Sequence, residues 1–139
     1  MNADVKEVLQ SARTIAIIGC SPNPYRTSNY IAKFLMERGY TIIPVNPGHD
    51  EILGVKCYRS LSGIPSQTQI DVVNVFRDSA HTAGVMEEVL EWNKLSGQNP
   101  TVWTQLDVSS PEAEVIAEKN NVPYIKNRCI MVEWEREIQ

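Results

Sequence analysis

A polar loop at residues 20–28 carries residue types that bind phosphate. It follows an apolar, β-rich run at residues 14–18 and Gly19, and it leads into an amphipathic segment at 28–38. A strand, a tight loop and a helix in this order place backbone N–H groups and the positive end of a helix around an anion. Arg26 and three hydroxyl groups stand where a phosphate would lie, on Ser21, Thr27 and Ser28. The loop therefore predicts a ligand that is a phosphate-bearing nucleotide.

The rest of the chain predicts the elements that hold this loop in place. Apolar runs alternate with helical patterns, and most of the runs lack the in–out alternation of a half-exposed strand. Such runs are typical of parallel strands that are buried on both faces. We therefore predict an α/β fold, a single doubly wound Rossmann-like domain over residues 1–139 with a mostly parallel sheet of five or six strands. The predicted strands are 15–18, 40–45, 55–58, 70–76, 101–104 and 124–126, and the main predicted helices are 28–38, 83–97 and 111–120.

The residues that directly follow the strands are the candidate ligand contacts. In doubly wound sheets a ligand binds beyond the carboxyl ends of the strands, at the point where the strand order reverses. We therefore expect these residues to lie at one edge of the sheet. They are the loop 19–28, Asn46 and Pro47 after the second strand, Arg77 and Asp78 after the fourth, and Gln105 after the fifth.

Two features of these segments argue against NAD. The fingerprint G-x-G-x-x-G is absent, because Ser21 and Pro24 stand at the second and third glycine positions after Gly19. NAD sites place an acidic residue at the end of the second strand to accept from the ribose hydroxyls, and this chain has Asn46 there. The motif G-x-x-x-x-G-K-[ST], which would bind a triphosphate, is also absent.

The composition bounds the class of protein. The formal net charge of -4 and the pI of about 5.2 argue against a broad nucleic-acid surface. No apolar run approaches the roughly 20 residues of a membrane helix, and the N-terminus lacks a signal-peptide core. Cys20, Cys57 and Cys129 are widely spaced, which predicts reduced thiols in the cytoplasm. His49 and His81 have no partner at ligand spacing, so we predict no metal site.

Five segments of the chain, in order, resemble the small stand-alone CoA-binding proteins. They are GCSPNPYRTS at 19–28, GY and PVNP within 39–47, IDVVNVFR at 70–77, VWTQ at 102–105 and NRCI at 127–130. These proteins have a fold similar to the nucleotide-binding domain of the succinyl-CoA synthetase alpha subunit. The resemblance covers nearly the whole chain and implies CoA or an acyl-CoA as the ligand.

The resemblance implies roles for the residues of the first loop. The backbone of Gly19, Cys20 and Ser21, together with Ser28, would hold the pyrophosphate at the helix N-terminus. Arg26 would pair with a phosphate, one option being the 3′-phosphate of CoA. Arg26 is otherwise a surface arginine at a helix start, where a cation is slightly unfavourable unless an anion is bound.

The resemblance also implies roles along the rest of the edge. Asn46, which precedes Pro47, would contact the sugar or its phosphate. Phe76 and Arg77 would lie against the adenine or the pantetheine, and Gln105 would line the path of the pantetheine. These roles imply that several loops hold the ligand together.

Structural explanations of the same residues stay open. Asn46 is equally suited to shaping an Asn-Pro-Gly turn. Arg77 is equally suited to an ion pair with Asp78 or Glu51. Both residues therefore need their surroundings to decide their role.

Two residues depart from the pattern of the resembling family. Cys20 stands where alanine is usual; a thiol beside a helix N-terminus suits a mixed disulfide with CoA or a redox role, while a small side chain that fits the turn is the simpler interpretation. Asp107 stands where glycine is usual, and its carboxylate would either weaken anion binding or cap the next turn.

Three classes of function fit these observations. The first is a non-catalytic CoA or acyl-CoA binding protein, a carrier, sensor or regulatory module, as a monomer or weak homodimer and with a possible protein partner. The second is a small NAD(P)-dependent oxidoreductase or NADP-binding protein, for which no hydride-transfer pair is recognisable. The third is hydrolysis of acyl-CoA with Cys20 as nucleophile, for which no triad is recognisable. We favour the first, with no catalytic residue.

Overall fold

A computed structural model of the chain describes residues 3–138. Seven strands lie within these residues: β1 (Thr14–Ile18), β2 (Thr41–Val45), β3 (Glu51–Ile52), β4 (Val55–Lys56), β5 (Val72–Val75), β6 (Thr101–Thr104) and β7 (Tyr124–Ile125). The α-helices are α1 (Val5–Ser11), α2 (Thr27–Glu37), α3 (Ser79–Ser96), α4 (Pro111–Lys119) and α5 (Ile130–Glu137), and a 3-10 turn spans Leu61–Gly63.

The main sheet has five strands in the order β2-β1-β5-β6-β7, and every neighbouring pair is parallel. The chain passes from β1 through α2 to β2 on one side, and from β5 through α3 to β6 on the other. The strand order therefore reverses between β1 and β5. This topology confirms the predicted Rossmann-like α/β fold, with five strands in the sheet.

Both faces of the sheet are covered, as the apolar runs predict. Ile15 and Ile17 of β1 pack with residues of α1, α2 and α5, whereas Ala16 and Ile18 pack with residues of α3. Alternate side chains of a strand point to opposite faces, so one apolar strand supplies both layers. The sheet is thereby fixed between two groups of helices, and the site at its edge rests on a rigid base.

The segment predicted as a third strand takes a different place. β4 pairs with β3 in a separate antiparallel hairpin, and Tyr58 forms a single parallel bridge to Val45 of β2. Leu53 and Gly54 make the turn with φ of 55° and 77°. A two-residue turn with both φ values positive usually carries Asn or Asp before the glycine, so leucine hides the hairpin from a sequence analysis.

The helices end where the capping residues indicate. Ser110 caps α4, with its side chain accepting from the Ala113 N–H at 3.1 Å, and Pro111 occupies the first helical position. Gly97 ends α3 in the left-handed region with φ of 74°. Among residues 3–138, no helix combines the length and apolar character needed to cross a membrane.

We predict that Ser110→Ala lowers the free energy of unfolding by about 1 kcal/mol, because one N–H at the start of α4 loses its acceptor. Ser79→Ala is the matched control: this exposed serine opens α3, its side chain makes no hydrogen bond within the described residues, and its change should stay within about 0.5 kcal/mol. Urea unfolding of both variants measures the difference. Equal stabilities would show that the cap contributes nothing.

Candidate functional site

Gly19 lies at the point where the strand order reverses. Its N–H donates to the Val45 carbonyl oxygen at 2.9 Å, and its φ is 83°. A Cβ at this position would lie 2.6 Å from the carbonyl oxygen of Phe76, closer than such atoms approach in proteins. The absence of a side chain therefore lets the loops after β1 and β5 meet.

The loop after β1 is held by its own polar groups. The Ser21 N–H donates to Ser28 Oγ at 2.9 Å, and Asn29 Nδ2 donates to the Ser21 carbonyl at 2.8 Å. Ser28 and Asn29 are buried at 6% and 4% exposure. Ser21 Oγ in turn accepts from the Asn23 N–H at 3.1 Å. The loop thus arrives at α2 in a fixed conformation, and the predicted contacts Ser21 and Ser28 lie side by side.

The N-terminus of α2 has donors without acceptors. The backbone N–H groups of Thr27 and Ser28 open the helix and donate to no acceptor among residues 3–138. Arg26 is the N-cap residue, but its side chain makes no capping hydrogen bond, and the first turn holds no acidic residue. Arg26 is exposed and forms no ion pair within residues 3–138. These donors and this cation are available to an external anion.

A cleft of about 290 Å³ lies beside this loop, at the carboxyl ends of β1, β2 and β5. It brings together four predicted contacts, Gly19, Asn46, Pro47 and Arg77. Its other lining residues are Ile18, Val45, Arg59, Ser60 and Glu88. The structure thereby places the ends of three strands around one concave surface, as the topology requires.

Arg59 and Ser60 line the cleft, and the sequence reasoning missed both. They follow Tyr58, whose bridge to Val45 extends the edge of the sheet beyond β2. The rule that contacts follow strand ends, applied to the predicted segment 55–58, would have identified Arg59.

Arg77 is half-buried and makes no ion pair with any residue that the structure describes. The alternative partner Asp78 instead caps α3, accepting from the Ala80 N–H at 3.2 Å, and contacts His81 Nδ1 at 2.8 Å. The structural explanation of Arg77 is therefore not realised. Its guanidinium remains a cation at the cleft.

Asn46 shapes the turn after β2. Its Nδ2 donates to the Cys20 carbonyl at 2.9 Å, and its Oδ1 accepts from the Gly48 N–H at 2.9 Å. Both ends of the amide therefore bind backbone, and the side chain ties the first loop to the second. The position that carries an acidic residue in NAD sites is occupied here by a scaffold residue.

Gln105 and Phe76 lie outside the cleft. Gln105 is 7% exposed, and its Oε1 accepts from Asn74 Nδ2 and from the Ile130 N–H, both at 3.1 Å. It thereby joins β5, β6 and the start of α5. Asn74 is a buried polar residue that the sequence analysis did not single out, and its Oδ1 has no hydrogen-bond partner among residues 3–138. Phe76 is half-buried against the core layer that contains α2.

Cys20 is fully buried, and burial raises the pKa of its thiol to about 12, with a further contribution from Cys57. A nucleophilic or redox-active cysteine needs a lowered pKa and access to solvent. The surroundings of Cys20 therefore fit the simpler interpretation, a small side chain that fills the turn.

Asp107 adopts the left-handed region with φ of 63° and is exposed. This backbone conformation favours glycine, which explains why glycine suits the position, and aspartate tolerates it better than most residues. The departure thus preserves the turn, with an added surface carboxylate.

A larger cavity of about 430 Å³ lies at the opposite edge of the sheet, near the starts of β5 and β6. Its central residue Gln98 accepts from the Ile70 N–H at 2.9 Å and donates to the Thr68 carbonyl at 2.8 Å. The polar groups of Gln98 are thus used to connect the chain segments, so this cavity is a weaker candidate site.

The fold and the reversal point with its glycine-containing loop define a Rossmann-like α/β domain. A family model described as a CoA binding domain matches residues 13–135. The protein therefore belongs to the family of CoA binding domains.

The chain has relatives of nearly its own size. It is 42% identical to the uncharacterized protein YneT of Bacillus subtilis over 130 residues, 94% of this chain and 91% of that protein. A hypothetical protein from Pyrococcus horikoshii has a solved structure that matches with a TM-score of 0.88 and 36% identity, covering 98% of this chain and 91% of that one. Similarity at this level extends over the whole fold.

The chain also matches part of a much longer enzyme. A segment of 63 residues is 36% identical to an ADP-forming acetate–CoA ligase of Archaeoglobus fulgidus. The match covers 45% of this chain and 9% of the ligase. The similarity therefore concerns one part of that enzyme.

We predict that Gly19→Ala destabilises the fold by about 3 kcal/mol, from left-handed strain and from the clash with Phe76. Gly97→Ala is the matched control, since its φ of 74° is similar and no atom lies within 4 Å of a Cβ there. That variant should lose about 1 kcal/mol, from strain alone. Chemical unfolding of both variants checks the difference. Equal losses would show that the loops do not meet at Gly19.

We predict that ionisation of Cys20 lowers stability at high pH. The folded thiol keeps its proton up to a pKa of about 12, whereas the unfolded thiol loses it near 9.0. Ionisation therefore stabilises the unfolded state as pH rises from 9 towards 12, while the folded thiol stays protonated, and the free energy of unfolding falls over that range. The fall should be shallower in Cys20→Ala, measured by urea unfolding at each pH. The same slope in both proteins would refute the buried, protonated thiol.

Proposed function

We propose that the protein binds CoA or an acyl-CoA at the carboxyl edge of the sheet and acts without catalysis, as a carrier, sensor or regulatory module. The observation that carries this proposal is the start of α2, where free N–H donors and the unpaired Arg26 lie at the reversal point of a CoA binding domain. A pyrophosphate is the part of CoA that suits such a site.

The ligand would extend from this point along the edge. The Gly19 and Ser21 N–H groups already donate within the protein, so of the backbone of residues 19–21 the Cys20 N–H would hold the pyrophosphate. The hydroxyl of Ser28, which donates to no acceptor in the described part of the chain, would join it. Arg26 and Arg77 would neutralise its charge from two sides. The adenosine would lie towards Asn46 and Pro47, and the pantetheine towards Phe76 and Gln105. This direction follows the general placement of the ribose at the end of the second strand.

The surroundings of Cys20 support a non-catalytic role. Its thiol is buried and protonated, which disfavours acyl transfer through this residue. The match covers only 9% of the acetate–CoA ligase, so we do not propose ligase activity for this protein.

The alternative function is that of an NAD(P)-dependent oxidoreductase. The hydrogen bonds of Asn46 argue against it. The amide is bound to backbone at both ends and leaves no carboxylate for the ribose hydroxyls. No relative named above carries the name of an oxidoreductase.

The cellular setting is part of the proposal. Cys20, Cys57 and Cys129 are free thiols, which suits the reducing cytoplasm. We expect a monomer or a weak homodimer with a small nucleotide as ligand and, in the regulatory case, a protein partner.

We predict that CoA raises the thermal midpoint of the protein. Ligand at 100 times its dissociation constant adds roughly 2.7 kcal/mol, a shift of several degrees for a domain of this size. Arg26→Ala should reduce the shift, because a phosphate loses its cation. Lys33→Ala is the control, since this exposed lysine lies further along the same helix. NAD, NADP and ATP serve as comparison ligands.

Two outcomes of the thermal measurement would contradict the proposal. A shift of the thermal midpoint with NADP and none with CoA would make NADP the ligand in place of CoA. A CoA shift that Arg26→Ala and Lys33→Ala leave equally intact would remove Arg26 from the site.

A further inference from the structure

Arg59 is a second cation at the cleft, on the side of β2. Its Nη1 donates to the Pro47 carbonyl at 3.1 Å, and its Nη2 lies 3.4 Å from Asp50 Oδ1. The side chains of Arg59 and Asp50 are 69% and 88% exposed. The guanidinium is therefore held at the rim of the cleft while most of it remains in contact with solvent.

The backbone fixes Arg59 beside the end of β2. The Asn46 N–H donates to the Tyr58 carbonyl at 2.9 Å, and the Tyr58 N–H donates to the Pro44 carbonyl at 3.0 Å. Two hydrogen bonds thus join the segment before Arg59 to the strand end. Arg59 consequently occupies a defined position in the site, although it lies outside the regular strands.

The position relative to the ligand follows from the sheet topology and rests on the proposed function. The pyrophosphate lies at the reversal point between β1 and β5, and the ribose of the adenosine lies at the end of β2. In Rossmann-like NADP sites, an arginine near that strand end accommodates the 2′-phosphate of the ribose. CoA differs from dephospho-CoA by such a phosphate, at the 3′ position.

The charges around Arg59 allow it to change partners. Its pair with Asp50 is exposed, and exposed ion pairs contribute little. A guanidinium binds a phosphate through two parallel hydrogen bonds, which are stronger. Glu88 is the opposing carboxylate in the cleft, but it pairs with neither Arg59 nor Arg77 in the portion of the chain described. Phosphate binding at Arg59 therefore displaces one weak partner.

We propose that Arg59 is a specificity residue that binds the 3′-phosphate and thereby selects CoA over dephospho-CoA. Arg26 and Arg77 then serve the pyrophosphate, which both ligands share. The selection depends on a side chain outside the five segments that resemble the CoA-binding proteins.

Calorimetric titration of CoA and dephospho-CoA into four proteins tests the proposal: wild type, Arg59→Ala, Arg26→Ala and Arg136→Ala. Arg136 is a matched control, because its side chain is 60% exposed and pairs with Glu133 on α5. In Arg59→Ala, the affinity for CoA should fall by about tenfold, and the affinity for dephospho-CoA should stay within about twofold of the wild-type value. Arg26→Ala should lower the affinities for both ligands by similar factors. Arg59→Lys, which keeps the charge without the bidentate geometry, should fall between wild type and Arg59→Ala.

The outcomes separate this proposal from the proposed function. Binding of CoA to wild type with an Arg59→Ala effect that is equal for both ligands, or absent, overturns the role of Arg59 and leaves CoA binding standing. Loss of discrimination in Arg26→Ala alone places the 3′-phosphate at the first loop and overturns it as well. Failure of wild type to bind either ligand overturns both proposals.

Discussion

The contact between the loops after β1 and β5 is the constraint on which the site depends. Gly19 comes so close to the Phe76 carbonyl that a single added carbon would lie 2.6 Å from it. This approach sets the start of the first loop and the position of Arg77 at the same time. The order of the strands makes the approach possible, since β1 and β5 are direct neighbours in the sheet.

The polar residues around this contact divide into two groups. Asn46, Ser21 and Gln105 use their side chains on backbone or buried amide groups and thereby hold the loops and α5 in place. Arg26, at the start of α2, and Arg77, which lines the cleft, form no ion pair in the described structure. Loops held in place by hydrogen bonds of their own side chains, together with cations that form no ion pair in the described residues, are suited to an anionic ligand with several phosphates.

The sequence determines the sheet and the main site more clearly than the details around them. The solid apolar run 15–18 and the β-branched run 72–75, which Asn74 alone interrupts, predict parallel strands that are buried on both faces. Gly97 and Ser110 mark helix ends through backbone conformation and capping, which are local effects. The hairpin of β3 and β4 escapes detection because Leu53 occupies its turn.

Roles that depend on tertiary contacts are harder to predict. The identity of Asn46 is compatible with binding a ribose or with binding backbone, and the distances to Cys20 and Gly48 decide what its amide does. Gln105 follows a strand, yet its Oε1 binds the start of α5, an element that begins 25 residues later. Arg59 lines the cleft because a single bridge joins Tyr58 to the end of β2, so its position follows from that pairing together with the predicted strand end at Tyr58.

The most direct test of the central claim is a titration of the 15N-labelled protein with CoA, followed through its amide NMR signals. Binding at the carboxyl edge should shift the amides of the non-proline residues in 19–28 and those of Asn46, Arg59 and Arg77. The amides of residues 69–71, 98 and 99, which line the cavity on the opposite edge, should remain unshifted. Shifts confined to that opposite edge, or the absence of any shift, would contradict the account.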